Sequence, residues 1–276
     1  MRPIGDIPLA PPFQLVSHPL TQVLCQIQFS PVLRIRQDEA VIAFQEAIRH
    51  TYPRYAKQQG MELLITPEGV QQQPLGTAAL HRFDDSDGVF TAILSSEFIA
   101  LETRQYTDID DFVGRIVALA ETVQEHYSPD EIQRVGLRFI NELRLSAPDP
   151  KDEMRDAIAP VLLGAPGSDE LVDVVGGAQQ VLELTGDDSR MLVRHGLHPQ
   201  GGTTVVDAFT LANPLRPELQ QPFYLLDIDA FREGSVRYSV DGIESTLRDF
   251  NEDTRSFFAW SVREDYRRAK LGQTDV

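Results

Sequence analysis

An α+β fold, an antiparallel sheet covered by helices, follows from three features of the sequence. Several runs alternate apolar and polar residues at the period of a half-buried strand. Most neighbouring runs are joined by turns too short for a crossover, so antiparallel pairing is the expectation. Helical patterns stand between them in an order of strand–helix–strands–helix–strand, then helix–strands–helix, which layers helices on one face of the sheet. The recurrence predicts two related halves, 1–147 and 151–276, meeting at Ala147-Pro148-Asp149-Pro150 and packed as one globular unit.

The elements can be taken in order. The Pro-rich N-terminus is expected to run extended over the surface, with Phe13, Leu15 and Val16 as anchors. Thr21, Val23, Cys25, Ile27 and Phe29 alternate with glutamines, a strand broken at Pro31. Asp38 is the expected N-cap of a helix carrying Val41, Phe44, Ala47 and Ile48, stopped by Pro53. A short strand over 61–66 precedes an expected loop over 67–76. The Asp84-Asp85-Ser86-Asp87-Gly88 stretch reads as a hairpin turn, because Asp and Gly tolerate the positive φ of tight turns. It does not read as a calcium loop, since counting back from Gly88 puts Phe83 at the first ligand position. A strand from Phe98 leads to a helix capped by Thr107 or Asp108 and ended near Ser128-Pro129.

The longest alternating run is 132–145. Val135, Leu137, Phe139, Leu143 and Leu145 share one face, and Arg134, Arg138, Glu142 and Arg144 share the other. Parity puts the amide of Asn141 on the apolar face, where it needs a fixed hydrogen-bond partner, so a structural role is expected for it. In the second half a helix over 154–162 meets Pro160. A hairpin turns at 185–189, a strand is expected over 205–211, and a strong strand starts at Phe223. The C-terminal helix carries Ile243, Leu247, Phe250, Phe257 and Trp260, with an interruption expected at 251–253. Ser261-Val262-Arg263-Glu264 fits a capping box that would open a last short helix.

Composition narrows the function classes. The chain has 276 residues, 42% of them hydrophobic, with 14 Phe and 7 Tyr, enough for a sizeable core. A net charge of −17 argues against binding nucleic acid or an anionic membrane surface and permits basic partners. Cys25 is the lone cysteine, so no intrachain disulfide can form, and a strand position among apolar residues points to packing. No segment reaches the ~20 apolar residues of a membrane span, and the expected location is the cytoplasm.

Few patterns carry chemistry. No phosphate-binding glycine loop, dinucleotide fingerprint or nucleophile elbow is present, and no cofactor is implied. His195 and His198 are three residues apart on a strand, hence on opposite faces, so no metal site is expected from them. Asp227 and Asp229 share a strand face, about 7 Å apart, where they could bind Mg²⁺ or act as an acid–base pair. Alternatively they meet the arginine face of 132–145 in a cross-strand ionic ladder. Arg138, Arg144, Asp227 and Asp229 are therefore the candidate binding residues, and no catalytic residue is assigned. Arg263, Arg267, Arg268 and Lys270 form a basic cluster, read as helix C-terminal cations or a docking surface for an acidic partner.

Several phrases occur together: Pro19-Leu20-Thr21-Gln22-Val23, Phe44-Gln45-Glu46-Ala47-Ile48 with Tyr52-Pro53, Tyr106 with Asp111-Phe112, Arg134-Val135-Gly136-Leu137-Arg138-Phe139-Ile140-Asn141, and Leu226-Asp227-Ile228-Asp229. The set resembles a sporadically distributed prokaryotic family of uncharacterised proteins of about this length. That resemblance implies an accessory, defence- or toxin-associated context and no catalytic residues. The leading expectation is a non-enzymatic binding or regulatory protein acting through a protein partner or self-association, with no nucleic acid and no membrane. The alternatives are a metal-dependent hydrolase using Asp227 and Asp229, or a small-ligand module with a pocket between the halves.

Overall fold

The structure is a computed structural model that describes residues 7–66, 69–146, 150–198 and 221–275, with backbone alone over the described part of 59–79. Its elements are β1 (Phe13–Gln14), β2 (Leu20–Phe29), α1 (Asp38–Ile48), β3 (Arg54–Thr66), β4 (Gly69–Asp84), β5 (Phe90–Leu94), β6 (Phe98–Thr103), α2 (Ile109–Tyr127) and β7 (Glu131–Arg144). They continue as α3 (Pro150–Ala157), α4 (Pro160–Leu163), β8 (Gln180–Thr185), β9 (Arg190–His198), β10 (Phe223–Arg237), α5 (Val240–Ser261), α6 (Glu264–Lys270) and β11 (Thr274–Asp275).

Nine strands form one antiparallel sheet in the order β3-β4-β5-β6-β2-β7-β10-β9-β8. The fold is α+β, as the alternation and short turns predict. The long alternating strand, β7, lies in the middle and pairs with β2 on one side and β10 on the other. Two chain segments repeat one plan around it. From β2 the chain runs strand, helix α1, antiparallel strands, helix α2; from β7 it runs strand, helices α3 and α4, antiparallel strands, helix α5. The first strands of the two series lie side by side, and the last, β6 and β10, flank them. The seam between the series is therefore the β2–β7 pair. The expected junction at 147–150 has residues 147–149 outside the described residues, and Pro150 opens α3; the strand expected over 205–211 also lies outside the described residues.

The helices share one face. Phe44 of α1, Ile116 of α2, Met154 of α3, Leu162 of α4 and Phe250 of α5 join one core with Ile27, Leu137 and Ile228 of the sheet. The other face carries two small apolar clusters made only of strand residues: Leu80, Ile93, Phe98 and Ala100, and Ile140, Phe223 and Leu225 packed by Leu24. Alternation explains the split, since each strand gives every second side chain to each face. Cys25 is buried in the core, where burial pushes its thiol pKa far up, as packing rather than reactivity requires.

Local chemistry sets most element ends. The Asp108 carboxylate accepts from the Asp111 amide at 2.8 Å and caps α2, which ends at Ser128 in the left-handed conformation, φ 46°. Pro160 starts α4 at its first turn rather than kinking a longer helix. Other local expectations change. Asp38 is the first residue of α1 rather than its cap, which is Gln37 without a side-chain capping bond, and the short strand expected over 61–66 is the end of β3. The segment expected as a loop over 67–76 belongs largely to β4, a 16-residue strand whose backbone pairs with β3. Pro74 fits there because β5 pairs only with 81–84, leaving its neighbourhood in a two-stranded ribbon, with a register shift between Gln59 and Met61 opposite. Next, α5 runs unbroken through 251–253, and the Thr254 hydroxyl donates to the Phe250 carbonyl at 2.8 Å within the helix. Lastly, Ser261 is the last residue of α5 instead of a cap, and Arg263 stands before α6 without a capping bond. No helix among the described residues is long and apolar enough to cross a membrane.

Candidate functional site

The second face of the sheet is polar at its centre. Antiparallel register sets Arg138 of β7 opposite Asp229 of β10 and Ile140 opposite Asp227. The arginine reaches diagonally. Arg138 Nε donates to Asp227 Oδ1 at 2.7 Å and its Nη2 to Asp227 Oδ2 at 2.8 Å, a bidentate pair. Asp227 is 1% exposed and Arg138 9%, so both charges are desolvated. Arg194 of β9 supplies a second cation to Asp227, with Nη1 3.4 Å from Oδ2, and it is 42% exposed.

Arg134 takes a longer path. Its Nη2 donates to Asp229 Oδ2 and its Nη1 to Gln26 Oε1 of β2, both at 3.3 Å, while its guanidinium carbon sits 4.7 Å from the centre of the Phe231 ring. That path crosses the strand at Gly136, where a Cβ would lie 2.4 Å from Arg134 Nη1. The absence of a side chain at Gly136 is what lets the arginine fold over β7. Gln28 also donates to Gln26 Oε1, at 3.2 Å.

These groups line a hollow of about 270 Å³ spanning β6, β2, β7, β10 and β9. Arg134, Arg138, Arg194, Gln26 and Asp229 line it, and so does Glu102 of β6. Glu102 is 6% exposed, and its Oε2 accepts from Gln22 Nε2 at 3.1 Å. Burial raises its pKa, with Arg82 and Arg104 pulling the other way. The lining of the hollow thus holds three guanidiniums, Asp229 engaged by Arg134, and Glu102, whose pKa burial raises, while Asp227 lies beside it on Arg138 and Arg194.

The candidate residues fall as follows. Arg138, Asp227 and Asp229 come together, with Arg138 on Asp227 and Arg134 on Asp229. Arg144 lies further along, bonded to Glu142 and to the Gln221 carbonyl, its guanidinium over the Phe223 ring. Asn141 faces the helix side as parity requires, and its Nδ2 donates to the Leu226 carbonyl at 3.1 Å. His195 and His198 diverge. His195 Nδ1 lies 2.7 Å from the Tyr224 hydroxyl, which donates to the Leu162 carbonyl; His198 stacks on Phe223 with centroids 4.8 Å apart. Tyr224 therefore accepts from Nδ1–H, and the Nε2 of His195 is left buried without a partner among the described residues. Burial lowers the pKa of both histidines.

Of the basic cluster of the last helix, Arg263, Arg268 and Lys270 are exposed and Arg267 is buried. Arg267 is 6% exposed and donates to the Ala259 and Val262 carbonyls and to Gln273, while Arg268 pairs with Glu264 and Asp275. The 84–88 segment is the expected turn, with Gly88 at φ 71° and Asp85 Oδ1 accepting from the Val89 amide at 2.7 Å.

Glu102, Arg194 and Gln26 are missing from the sequence-derived set. Gln26 is a polar member of an alternating strand, the same signal that singles out Arg138, whereas the runs around Glu102, Phe98–Thr103, and around Arg194 do not alternate. Nothing in a single sequence says that β6 and β9 reach the same hollow, since that depends on strand order. Among the described residues, no three His, Cys, Asp or Glu side chains are grouped to hold a metal ion. No known protein-family model and no curated protein matches this chain.

Proposed function

We propose that this chain is a non-enzymatic binding protein whose hollow on the second face of the sheet takes a small anionic group, a carboxylate or phosphate. The observation that carries the reading is the unequal charge of the hollow: three arginines line it against Asp229 and a buried Glu102 whose pKa burial raises, with Asp227 beside it held by Arg138. An entering oxyanion would meet Arg194, whose contact to Asp227 is long at 3.4 Å. Asp227 and Asp229 would each have to give up an arginine to act as a metal ligand or base, which favours recognition over hydrolysis. The overall charge of −17 repels anions at a distance, but that field is screened beyond ~8 Å at physiological salt and leaves the local arginines decisive.

Thermal melting against acetate, malonate, succinate and inorganic phosphate tests the reading. At least one should raise the midpoint of the wild type, and Arg194→Gln, a partly exposed position, should abolish the rise while melting normally without ligand. No rise with any of the four, or an equal rise in Arg194→Gln, overturns it.

A further inference from the structure

We infer that the helix side of the β2–β7 seam holds a second, separate binding site, for an amphipathic acid with an apolar body and one carboxylate or sulfonate. The cavity there is about 600 Å³, within the size range of small-molecule sites. Its floor is Phe139 of β7 and Ile228 of β10, its far wall is α5, and its near wall is the N-terminal strap with Phe13 and Leu15. The strap is held in place by the C-terminus: β1 pairs with β11, the Ser17 amide donates to the Leu271 carbonyl at 3.0 Å, and Phe13 stacks on Phe258 with centroids 6.4 Å apart. Gly272, at φ 66°, brings the two segments close, since a Cβ there would lie 2.9 Å from Val16 Cβ.

Arg255 gives the cavity its polarity. It lines the space with its side chain 24% exposed; among the described residues its Nε is buried without a hydrogen-bond partner, and its ion-pair contact is Glu252 at 3.9 Å, itself half exposed. A guanidinium has five donors, so several are left for a ligand. The acids at the mouth are engaged elsewhere: Asp108 caps α2, and Asp110 Oδ1 accepts from Arg248 at 2.7 Å. Tyr106 and Asn141 add polar atoms beside the apolar floor. An apolar body on Phe139 and Ile228 with its acid on Arg255 therefore matches the lining.

The test uses 8-anilinonaphthalene-1-sulfonate as a fluorescent probe and decanoate as its competitor, on the full chain below its melting transition. The wild type should bind the probe at about one site and release it to decanoate. Arg255→Gln should weaken both at least ~10-fold, the loss of one charge-assisted bond, with an unchanged melting profile. Leu15→Trp, which fills the space from the strap, should block both without touching Arg255. Arg194→Gln should bind the probe like the wild type, which separates this site from the anion hollow on the other face. Absence of probe binding by the folded wild type, no displacement by decanoate, or equal affinities in wild type and Arg255→Gln would each overturn the inference.

Discussion

Truncating Asp227 to Ala should be among the most damaging single changes at the polar face. It leaves Arg138 at 11% side-chain exposure without its bidentate partner, and Arg194, 3.4 Å from the lost carboxylate, as a like charge nearby. Removing one member of a buried pair costs about 3–5 kcal/mol, because the remaining charge stays desolvated. At about 2 cal/mol/K of unfolding entropy per residue, a cooperative chain of 276 residues should lose roughly 5–9 °C in melting temperature. Pairing Asp227→Leu with Arg138→Met removes both charges and keeps apolar volume, so the double variant should recover to within ~1 kcal/mol of the wild type. Calorimetric melts of Asp227→Ala and of the four members of the Asp227→Leu and Arg138→Met cycle measure this. A single-variant loss under ~1 kcal/mol, or a double variant as unstable as the two singles added together, would show that the charges are neither desolvated nor coupled.

Two glycines of the sheet should respond differently to alanine. At Gly196, φ 145°, a Cβ would lie 1.9 Å from the Ala178 carbonyl oxygen, a backbone atom, so Gly196→Ala should cost about 2–4 kcal/mol by chemical denaturation. At Gly136 the clash is with the end of Arg134, which can swing away, so Gly136→Ala should melt within ~1 kcal/mol of the wild type yet lose anion binding; the reverse ranking would contradict the geometry. Asn141→Ala should cost ~1–3 kcal/mol, since it strips the Leu226 carbonyl of a buried donor, and unchanged melting would remove its structural role. Burial, with Asp249 and Glu252 nearby, raises Asp253 to about 7, so its folded state holds a proton that the unfolded chain releases near pH 4. Stability from this group is therefore highest below the ordinary carboxylate range and falls as pH rises to about 7; Asp253→Asn should gain on the wild type by about 1–3 kcal/mol between those limits, and a pH-independent difference would refute it. Anion binding in the hollow should weaken as pH rises through the raised pKa of Glu102, and Glu102→Gln should flatten that dependence in titrations at several pH values.

Much of the fold could be read from one sequence because its signal is local. The period of two in β7 fixes which of its side chains face the core, and it places Asn141 correctly among Phe139 and Leu143 without knowledge of any neighbour. The cap at Asp108 and the turn at 84–88 depend on residues within one helical turn or hairpin. The ladder between Arg138 and Asp227 was open to the same reasoning, since opposite charges on two strong strands favour pairing. What stayed hidden depends on strand order or tertiary context. That β2 lies between β6 and β7 decides that Glu102 joins the arginines. The Gln- and Pro-rich 67–76 segment has the composition of a loop, and only pairing with β3 makes its part from Gly69 onward a strand. Arg267 has the look of surface charge in the sequence, yet the end of α5 folds back and offers it carbonyls.

The middle of a broad sheet is where a chain most easily gathers apolar contacts, yet here it holds arginines, aspartates, a glutamate and two glutamines. A buried ion pair is rarely worth more than the apolar side chains that could replace it, because desolvation offsets most of the Coulombic gain. Stability alone therefore gives no reason for Arg138 and Asp227 at this place. The helix side of the same strands shows the contrast: Leu137, Ile228 and Leu226 there are fully buried and apolar. Both faces are built by one pair of strands, and the alternation that buries Leu137 on one side presents Arg138 on the other. If the polar side existed to hold the sheet together, the Arg138→Met and Asp227→Leu double variant would lose stability. If it exists to recognise an anion, the double variant stays folded and loses its ligand, and that outcome is the one the unequal charge of the hollow leads us to expect.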